Sequence, residues 1–329
     1  MARIMSGIQP TGSLHIGNYL GAMKNWVRLQ DEHECFFSVV DLHALTQRPD
    51  ADELRARTRE VAIGLLASGV DPDKSTLFVQ SAVREHAELA WILACVTQMG
   101  DLNRMTQFKD KSEHQPDNIN AGLFTYPVLQ TADIVVYRAG QVPVGEDQIQ
   151  HLELARETIR RFNQIYGDTF PEPQPLKSQA PKVVGLDGKK KMSKSLGNEI
   201  GLFEEPATTF KKLKKQAKTD EQRLQREDPG RPEVCNVYAW HGFYTDDATR
   251  KQIDGDCRRA AIGCVDCKKI LADNLEAVNG PIRERASELR EKPDELDQIL
   301  ESGNERARAV ARDTMGLVRN RTGIDLIKS

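Results

Sequence analysis

The chain has 329 residues, 39% of them hydrophobic and 29% charged, which is typical of a globular protein of about two domains. Its net charge of −3 predicts no general affinity for nucleic acid, and no apolar run of about 18 residues could span a membrane. The first residues lack the charged and apolar segments of a signal peptide, so we expect a cytoplasmic protein. In a reducing compartment, six cysteines favour metal binding or catalysis over disulfides.

The first half of the chain alternates strand and helix patterns. In chain order these predict a strand at 2–8, a helix at 15–30, a buried strand at 35–45, a helix at 49–70, a strand at 75–82, and helices at 86–98 and 151–166. The alternation predicts a parallel, doubly wound α/β sheet that binds ligands at the carboxyl ends of its strands. Residues 167–181 contain four prolines and predict an irregular connector, whereas only helical patterns follow residue 203.

Basic residues form two clusters. Lysines are concentrated between residues 189 and 218, and arginines recur near the end of the chain. Local clusters on a nearly neutral protein favour contact with a specific polyanion over general binding, although the second half of the lysine run, taken alone, would be interpreted as a solvated helix face. The arginines are Arg306, Arg308, Arg312, Arg319 and Arg321.

A glycine-rich segment, GIQPTGSLHIGNYLGA, follows the first predicted strand. Gly12, Gly17 and Gly21 permit close approach of the backbone, and the helix that follows would direct its amide groups at an anion. These features predict a phosphate-binding site, although the segment matches neither the GxxxxGK[ST] nor the GxGxxG fingerprint. It contains His15 instead, and a second basic segment, KMSKS, occupies residues 191–195.

Four stretches carry a resemblance to a known family. SGIQPTGSLHIGNYLGA, TQFKDKS, GEDQ and KKMSKS occur in the order found in class I aminoacyl-tRNA synthetases, and the chain resembles the bacterial tryptophanyl members over nearly its whole length. The resemblance implies a Rossmann-like doubly wound parallel sheet as the catalytic domain at 1–190, a KMSKS loop and hinge at 191–202, and an all-helical anticodon-binding domain at 203–329. It also implies a homodimer that binds neither membranes nor DNA.

The resemblance implies a tryptophan–tRNA ligase. Such an enzyme joins L-tryptophan to ATP, with Mg²⁺, to form tryptophanyl-adenylate and pyrophosphate, and then transfers tryptophan to the 3′ end of tRNA(Trp). Because no covalent protein intermediate forms, catalysis rests on positioning and charge stabilisation. A tyrosyl-tRNA synthetase is the nearest alternative, since it shares the fold and a GxDQ-like motif. A nucleotidyltransferase with the same ATP-binding logic is a more remote one.

The residues implied to act on the phosphates come mainly from the two signature motifs. His15 would donate a hydrogen bond to a phosphate oxygen, and the KMSKS lysines would close over the leaving pyrophosphate. Asn18 stands where many relatives carry a second histidine, and we expect a polar contact from it without an acid–base role. The implied catalytic residues are His15, Asn18, Lys111, Lys191, Ser193 and Lys194. The implied ATP-binding residues are Gln9, Pro10, Thr11, Gly12, Gly17, Asn18, Gly145, Glu146, Asp147, Val184, Lys191, Met192, Ser193, Lys194 and Ser195.

The amino-acid pocket is implied around the stretch GLFTYPVLQTADIV. Asp133 would accept the indole N–H, since indole offers one donor and no acceptor. Without the ordered motifs, Asp133 would be interpreted as a helix-start cap and His43 as a buried core histidine. Gln130 and Met5 depart from the methionine and the aromatic residue of relatives. The implied tryptophan-binding residues are Met5, Gly7, Val40, His43, Tyr126, Gln130, Asp133, Val142, Val144 and Gln148.

Four cysteines lie close together in the last third of the chain, with the spacing Cys235-x21-Cys257-x6-Cys264-x2-Cys267. Four thiolates at such intervals suit one metal centre, either a structural zinc ion or an iron–sulfur cubane. Some bacterial relatives bind a [4Fe–4S] cluster with a similar pattern, so the resemblance favours the cluster over Zn²⁺. Four buried free cysteines are the plain alternative.

Overall fold

The computed structural model describes residues 2–145, 148–177 and 183–325. Within them, parallel strands form one sheet in the order β3-β2-β1-β4-β5. This is a doubly wound, Rossmann-like order, which reverses direction between β1 and β4. The strands are β1 (Arg3–Ile8), β2 (Glu34–Val39), β3 (Ser75–Val79), β4 (Gln141–Val144) and β5 (Gln174–Lys177).

Helices provide the connections of the sheet and most of the second half of the chain. Those before β5 are α1 (Ile16–Asn18), α2 (Lys24–Leu29), α3 (Asp41–Ala44), α4 (Ala51–Ala67), α5 (Glu85–Ala94), α6 (Met99–Asn103), α7 (Thr106–His114), α8 (Ala121–Val135) and α9 (Ile149–Tyr166). Those after β5 are α10 (Pro206–Gln216), α11 (Asn236–Tyr244), α12 (Asp247–Arg258), α13 (Cys264–Glu291) and α14 (Pro293–Thr322). A π-helical turn, Tyr19–Met23, joins α1 to α2. None of the helices in the described ranges is both long enough and apolar enough to cross a membrane.

Local sequence signals explain several helix ends. Asp50 caps α4, because its Oδ1 accepts from the backbone amides of Asp52 and Glu53 at 2.9 and 3.2 Å. The chain leaves α4 through Gly69, whose φ of 103° is costly for any other residue. Asn120 caps α8 in the same way as Asp50 caps α4.

Packing divides the chain into two units, which we describe separately. The first comprises Met1–Thr11, Asn25–Gln179 and Lys292–Ser329, and the second comprises Gly12–Lys24 and Ala180–Glu291. The first unit contains the sheet and its main hydrophobic core. The second unit contains the glycine-rich segment from Gly12 onwards and the KMSKS segment, around a core to which α10, α11 and α13 contribute.

The last helix, α14, packs on strand β3. A Cβ atom at Gly303 would lie 1.7 Å from the backbone carbonyl oxygen of Leu77, so only glycine permits this contact. Next to it, Oδ1 of Asn304 accepts from the backbone N–H of Val79 at 3.0 Å. The sequence-based domain at 203–329 therefore differs from the packing of the structure, which returns the final helix to the unit of the sheet.

The arginines near the C-terminus make contacts within the first unit. Arg306 donates to the backbone carbonyl of Pro72 at 2.7 Å, and Arg308 donates to another backbone carbonyl at 2.9 Å. Nε of Arg319 donates to the carboxylate of Glu88 at 2.7 Å. These bonds hold α14 to the segments on either side of β3 and to α5, a role that the sequence did not predict.

The sequence located most elements of the first unit but missed two strands. The predicted strands β1, β2 and β3 and the helices between them are confirmed. Two of the strands were predicted too long, because β2 ends at Val39 before the helical residues Asp41–Ala44, and β3 ends at Val79 before a 3₁₀ turn at Gln80–Ala82. β4 was not predicted, and β5 lies in the stretch that was assigned to an irregular connector. Each has four residues and contains a proline, Pro143 or Pro175, so neither carries a normal strand signal.

Candidate active site

Asp133 lies at the centre of a buried polar network in the first unit. Its Oδ2 accepts a hydrogen bond from Nε2 of His43 at 2.8 Å. Its Oδ1 accepts from Nδ1 of His86 at 2.6 Å and from Nε2 of Gln80 at 2.7 Å. Desolvation opposes the charged form, but the hydrogen bonds from the two histidines outweigh it and hold the pKa of Asp133 well below its ordinary value. The carboxylate is therefore ionised at neutral pH and acts only as an acceptor.

The position of Asp133 in α8 decides between two interpretations of this residue. It stands in the last turns of the helix, while Asn120 provides the cap at the helix start. The interpretation of Asp133 as a helix-start cap is therefore wrong. His43 is likewise more than a packed core histidine, because its ring donates to this carboxylate.

Other residues predicted to line the amino-acid pocket belong to the same unit. A Cβ atom at Gly7 would lie 2.7 Å from Cγ1 of Val40, so β1 and the residue after β2 approach as closely as glycine allows. The rings of His43 and Tyr126 meet edge to face, with centroids 6.2 Å apart. The hydroxyl of Tyr126 lies 2.7 Å from Nε2 of His151.

The remaining predicted pocket residues occupy β1, β4, α8 and the start of α9. Nε2 of Gln130 donates to Oε1 of Gln148 at 3.3 Å. The other three pack in the hydrophobic core of the first unit: Met5, Val142 and Val144. The structure thus brings these side chains into one unit, and their roles in binding an amino acid remain predictions.

In the second unit, the glycine-rich segment packs against the KMSKS segment. The backbone of His15 pairs with the chain that follows KMSKS. A Cβ atom at Gly17 would lie 3.4 Å from Cβ of Met192, and one at Gly12 would lie 3.5 Å from Cδ of Lys194. Two motifs separated by more than 170 residues of sequence are therefore neighbours.

The KMSKS segment belongs to a short hairpin that a buried asparagine fastens at its base. The two arms are joined by backbone hydrogen bonds of 2.8 to 3.0 Å. Oδ1 of Asn198 accepts from the backbone N–H of Ser193 at 2.8 Å, and its Nδ2 donates to Oδ2 of Asp187 at 3.0 Å. Lys191 and Lys194 are exposed, and neither has an ion-pair partner in the described part of the chain.

Helix α11 also supports this hairpin. Nε1 of Trp240 donates to the backbone carbonyl of Val184 at 3.0 Å, and Nδ2 of Asn236 donates to that of Gly185 at 2.8 Å. A Cβ atom at Gly185 would lie 2.3 Å from the side chain of Asn198. The base of the hairpin is therefore tightly packed, while its lysines face solvent.

His15 presents one ring nitrogen to its own helix. Its backbone N–H donates to Oδ1 of Asn18 at 3.0 Å, so the Asn18 oxygen serves as a local cap. Nδ1 of His15 is buried against Gly17, where a Cβ atom would lie 2.9 Å away, which leaves Nε2 to reach a ligand. Burial lowers the pKa of His15, and Lys191 lowers it further against the opposing effect of Glu199, so the ring is neutral at pH 7.

Comparison with known proteins decides the family. The family model "tRNA synthetases class I (W and Y)" matches residues 1–279. A tryptophan–tRNA ligase of Deinococcus radiodurans is 46% identical over 328 residues, which cover 98% of this chain and 99% of that protein. This chain belongs to the class I tRNA synthetases of the W and Y type. A crystal structure of tryptophanyl-tRNA synthetase from Campylobacter jejuni, complexed with ADP and tryptophan, is similar to this synthetase with a TM-score of 0.90 and 36% identity, covering 98% of this chain and 99% of that one.

Other predicted ATP-binding positions of the synthetase lie after strands or in the hairpin. Gln9, Pro10 and Thr11 follow β1, and Gly145 follows β4, all at the carboxyl ends of strands. Val184 and Ser195 lie in the hairpin of the second unit, where Oγ of Ser195 is 2.8 Å from Oγ of Ser193. The following fall outside the described residues: Glu146, Asp147 and the side chain of Lys111.

The four cysteines of the second unit line one small cavity of about 20 Å³. Burial raises the pKa of Cys235, Cys257 and Cys267, the last to about 12. Nε2 of His241 lies 3.4 Å from Sγ of Cys267. No three His, Cys, Asp or Glu side chains within the described ranges are arranged to hold a metal ion. Thiols are common metal ligands, and these four, which include Cys264, surround one cavity. Their positions in the described ranges do not, however, form a coordination sphere.

Sequence reasoning missed four residues of these sites. Gln80 and His86 reach Asp133, Tyr137 reaches His86 with its hydroxyl 2.7 Å from Nε2, and Asn198 fastens the hairpin. One signal was available, because Gln80 directly follows β3, at the edge of the sheet where ligands bind. Tyr137 follows an apolar run and His86 stands among charged residues at the start of a helix pattern, so neither carried such a signal.

Proposed function

We propose that the chain is a tryptophan–tRNA ligase, which activates L-tryptophan with ATP and transfers it to the 3′ end of tRNA(Trp). The observation that carries the amino-acid assignment is the ionised carboxylate of Asp133 in the first unit. Indole offers one N–H donor and no acceptor, so an acceptor-only group is its natural partner. The names of the relatives that match over nearly the full chain support the same assignment.

The first unit would hold the amino acid. Asp133 accepts the indole N–H, and the aliphatic side chains of β1, β4 and Val40 surround the ring system. A substrate without the N–H would leave a buried carboxylate incompletely paired, which costs about 1–3 kcal/mol. Phenylalanine is rejected for this reason.

The second unit would act on the phosphates. In the activation step, an oxygen of the tryptophan carboxylate bonds to the α-phosphorus of ATP, and the bond from that phosphorus to the pyrophosphate oxygen breaks. Negative charge grows on the pyrophosphate, where the exposed ammonium groups of Lys191 and Lys194 stabilise it. Neutral His15 donates from Nε2 to a phosphate oxygen. Mg²⁺ would bind through phosphate oxygens and water, as is usual for this ion.

Amino-acid-dependent exchange of pyrophosphate into ATP tests this function directly. Tryptophan should support exchange, whereas tyrosine should not. Exchange driven by tyrosine would show that the tyrosyl alternative is correct, and exchange without any amino acid would indicate a nucleotidyltransferase. Charging of a tRNA(Trp) transcript then tests the second step.

We also propose a homodimer that acts in the cytoplasm, where tRNA is charged for translation. Large apolar side chains are exposed on the first unit: Leu45, Trp91, Met99, Ile119, Ile149 and Ile165. Such side chains are common at interfaces between copies of a chain. Sedimentation equilibrium should give twice the mass of 36.9 kDa, and a monomer at micromolar concentration would contradict the proposal.

We further propose that Cys235, Cys257, Cys264 and Cys267 hold a metal centre in a helical, anticodon-binding part of the second unit. Their convergence on one cavity supports this, and the resemblance favours a [4Fe–4S] cluster. The cavity has room for about one water-sized body, so a cubane requires the thiols to move apart, whereas a single Zn²⁺ requires less movement. A bound metal would hold the thiolates together and fix the ends of α11, α12 and α13.

Anaerobic purification followed by assays of iron, sulfide and zinc separates these cases. A brown protein with iron and sulfide near four per chain establishes the cluster. A colourless protein with about one zinc per chain establishes the alternative. If neither metal is present and all six thiols of the chain react with a thiol reagent after unfolding, the four cysteines of the second unit are free.

A further inference from the structure

Asp133 has four acceptor positions as a carboxylate, and three of them are occupied. Gln80 and His86 both donate to Oδ1, at 2.7 and 2.6 Å, and His43 donates to Oδ2 at 2.8 Å. Within the described part of the chain, these donors leave one acceptor position, which lies on Oδ2. A single position on one oxygen is what the single N–H of an indole requires.

The amide of Gln80 has only one orientation that satisfies its neighbours. Its Oε1 accepts from the backbone N–H of Leu42 at 3.1 Å, so its Nε2 must be the atom that faces Asp133. The bond to Asp133 is buried and the bond from Leu42 is partly buried. Gln80 therefore ties Oδ1 of Asp133 to the start of α3, the helix that carries His43.

The ring of His86 is fixed in the same manner by Tyr137. An ionised carboxylate only accepts, so Nδ1 of His86 carries the hydrogen that faces Asp133. Nε2 of His86 lies 2.7 Å from the hydroxyl of Tyr137. Burial, Asp133 and Glu85 all raise the pKa of Tyr137, so its hydroxyl stays protonated and donates to Nε2. The direction of the whole chain, from Tyr137 through His86 to Asp133, is thereby set.

Packing holds these rings in place. The side chain of His86 is 0% exposed and lies 5.9 Å from the ring of Phe78. Tyr137 stacks on Phe36 at 4.6 Å and meets Phe78 at 5.3 Å. Neither ring can turn without disturbing the core of the first unit.

We propose that Gln80, His86 and Tyr137 are positioning residues for amino-acid selection, because they occupy Oδ1 of Asp133 and turn the remaining acceptor position on Oδ2 towards the substrate's single N–H. This inference rests on the proposed function, which names Asp133 as the group that binds the indole. None of the three residues contacts the substrate in this proposal. They act through the orientation of the carboxylate.

Paired substitutions of His86 separate this role from simple packing. In His86→Asn, the amide nitrogen lies near the position of Nδ1 and can still donate to Asp133. In His86→Gln, the amide lies near the position of Nε2, so Oδ1 loses a donor. Tyr137→Phe keeps the stacked ring but removes the donor that fixes the His86 tautomer, and it serves if His86→Gln fails to fold.

The measurement is pyrophosphate exchange with tryptophan and with its benzothiophene analogue, which has nearly the same shape but no N–H. In His86→Gln we expect the KM for tryptophan to rise about tenfold or more with little change in kcat, because the lost interaction is present before and during the reaction. The KM for the analogue should change much less. The selectivity ratio, which is kcat/KM for tryptophan divided by kcat/KM for the analogue, should therefore fall. His86→Asn should restore most of the ratio, and Tyr137→Phe should lie between the two variants.

Each outcome bears on one proposal. Equal losses with both substrates, or equal losses in His86→Asn and His86→Gln, would overturn the positioning role while the synthetase assignment stands. A parent protein that exchanges no pyrophosphate with tryptophan would overturn the proposed function itself. An unchanged selectivity ratio in Tyr137→Phe would show that the hydroxyl does not set the orientation of Asp133.

Discussion

The polar groups of the two units are organised in opposite ways. Around Asp133 in the first unit, donors and acceptors are buried, paired and held by aromatic packing. In the hairpin of the second unit, Asn198 pairs the backbone at the base while Lys191 and Lys194 are left exposed. The difference follows from the two tasks. Selection between similar amino acids needs a preorganised acceptor, whereas stabilising a leaving pyrophosphate needs charges that are free to approach it.

Removal of a hairpin lysine should give the largest effect and should fall on the chemical step. For Lys194→Ala we expect kcat for pyrophosphate exchange to decrease about 100- to 1,000-fold, since an ammonium group that stabilises developing charge is lost. The KM for tryptophan should change little, because we propose that the first unit binds the amino acid. Lys189→Ala is the matched control, as Lys189 is an exposed lysine of the same hairpin outside KMSKS. An equal decrease in kcat in Lys194→Ala and Lys189→Ala would show that the KMSKS lysine has no special role in the chemical step.

Removal of the charge on Asp133 should instead destabilise the protein. Asp133→Asn puts an amide among three donors, and breaking such a buried charged network costs about 3 kcal/mol or more. The pKa of Asp133 is lowered by folding, so its stabilisation is fully present above the unfolded value of about 4 and is lost as the pH falls below it. Urea unfolding should give a constant difference between parent and variant from pH 5 to 8, which narrows below pH 4. If the difference in unfolding free energy narrowed already near neutrality, folding would not lower the pKa of Asp133.

The stability of the first unit should also depend on the packing of α14 against β3. Gly303→Ala forces a methyl group onto the carbonyl oxygen of Leu77, which lies two residues before the end of β3, and should lower the free energy of unfolding by about 3 kcal/mol. Gly316→Ala on the same helix has nothing within 4 Å of the added atom and should raise stability by about 0.5–1 kcal/mol. Thermal unfolding of the two variants tests this. If Gly303→Ala were as stable as Gly316→Ala, α14 would not pack on the sheet.

The sequence predicted contiguous features better than long-range ones. The motif around His15 and the KMSKS segment could be recognised because each is a short run of residues, and the alternating pattern predicted the α/β sheet. The return of α14 to the sheet could not be predicted, since Ala307, Ala311 and Met315 repeat at helical spacing whatever surface they face.

The network around Asp133 was only partly predictable for the same physical reason. Resemblance pointed to Asp133 and His43, but Gln80 is a single polar residue in an apolar stretch, which usually indicates packing. His86 stands among charged residues at the start of a helix pattern, where a histidine usually faces solvent. Their partner is 53 and 47 residues away in sequence. Only the fold brings the carboxyl end of β3, the start of α5 and the end of α8 together.

The smallest predicted effect comes from a comparison of His15 in the second unit with His86 in the first. His86 acts through Nδ1, whereas Nδ1 of His15 is buried against Gly17 and only Nε2 is left for a phosphate. The order of the amide variants should therefore reverse in the second unit. His15→Gln, whose amide lies near the position of Nε2, should retain about tenfold more exchange activity than His15→Asn, since one hydrogen bond to a charged oxygen is kept. Steady-state exchange at saturating tryptophan measures this, and a better His15→Asn would mean that the ring binds ATP through its other nitrogen.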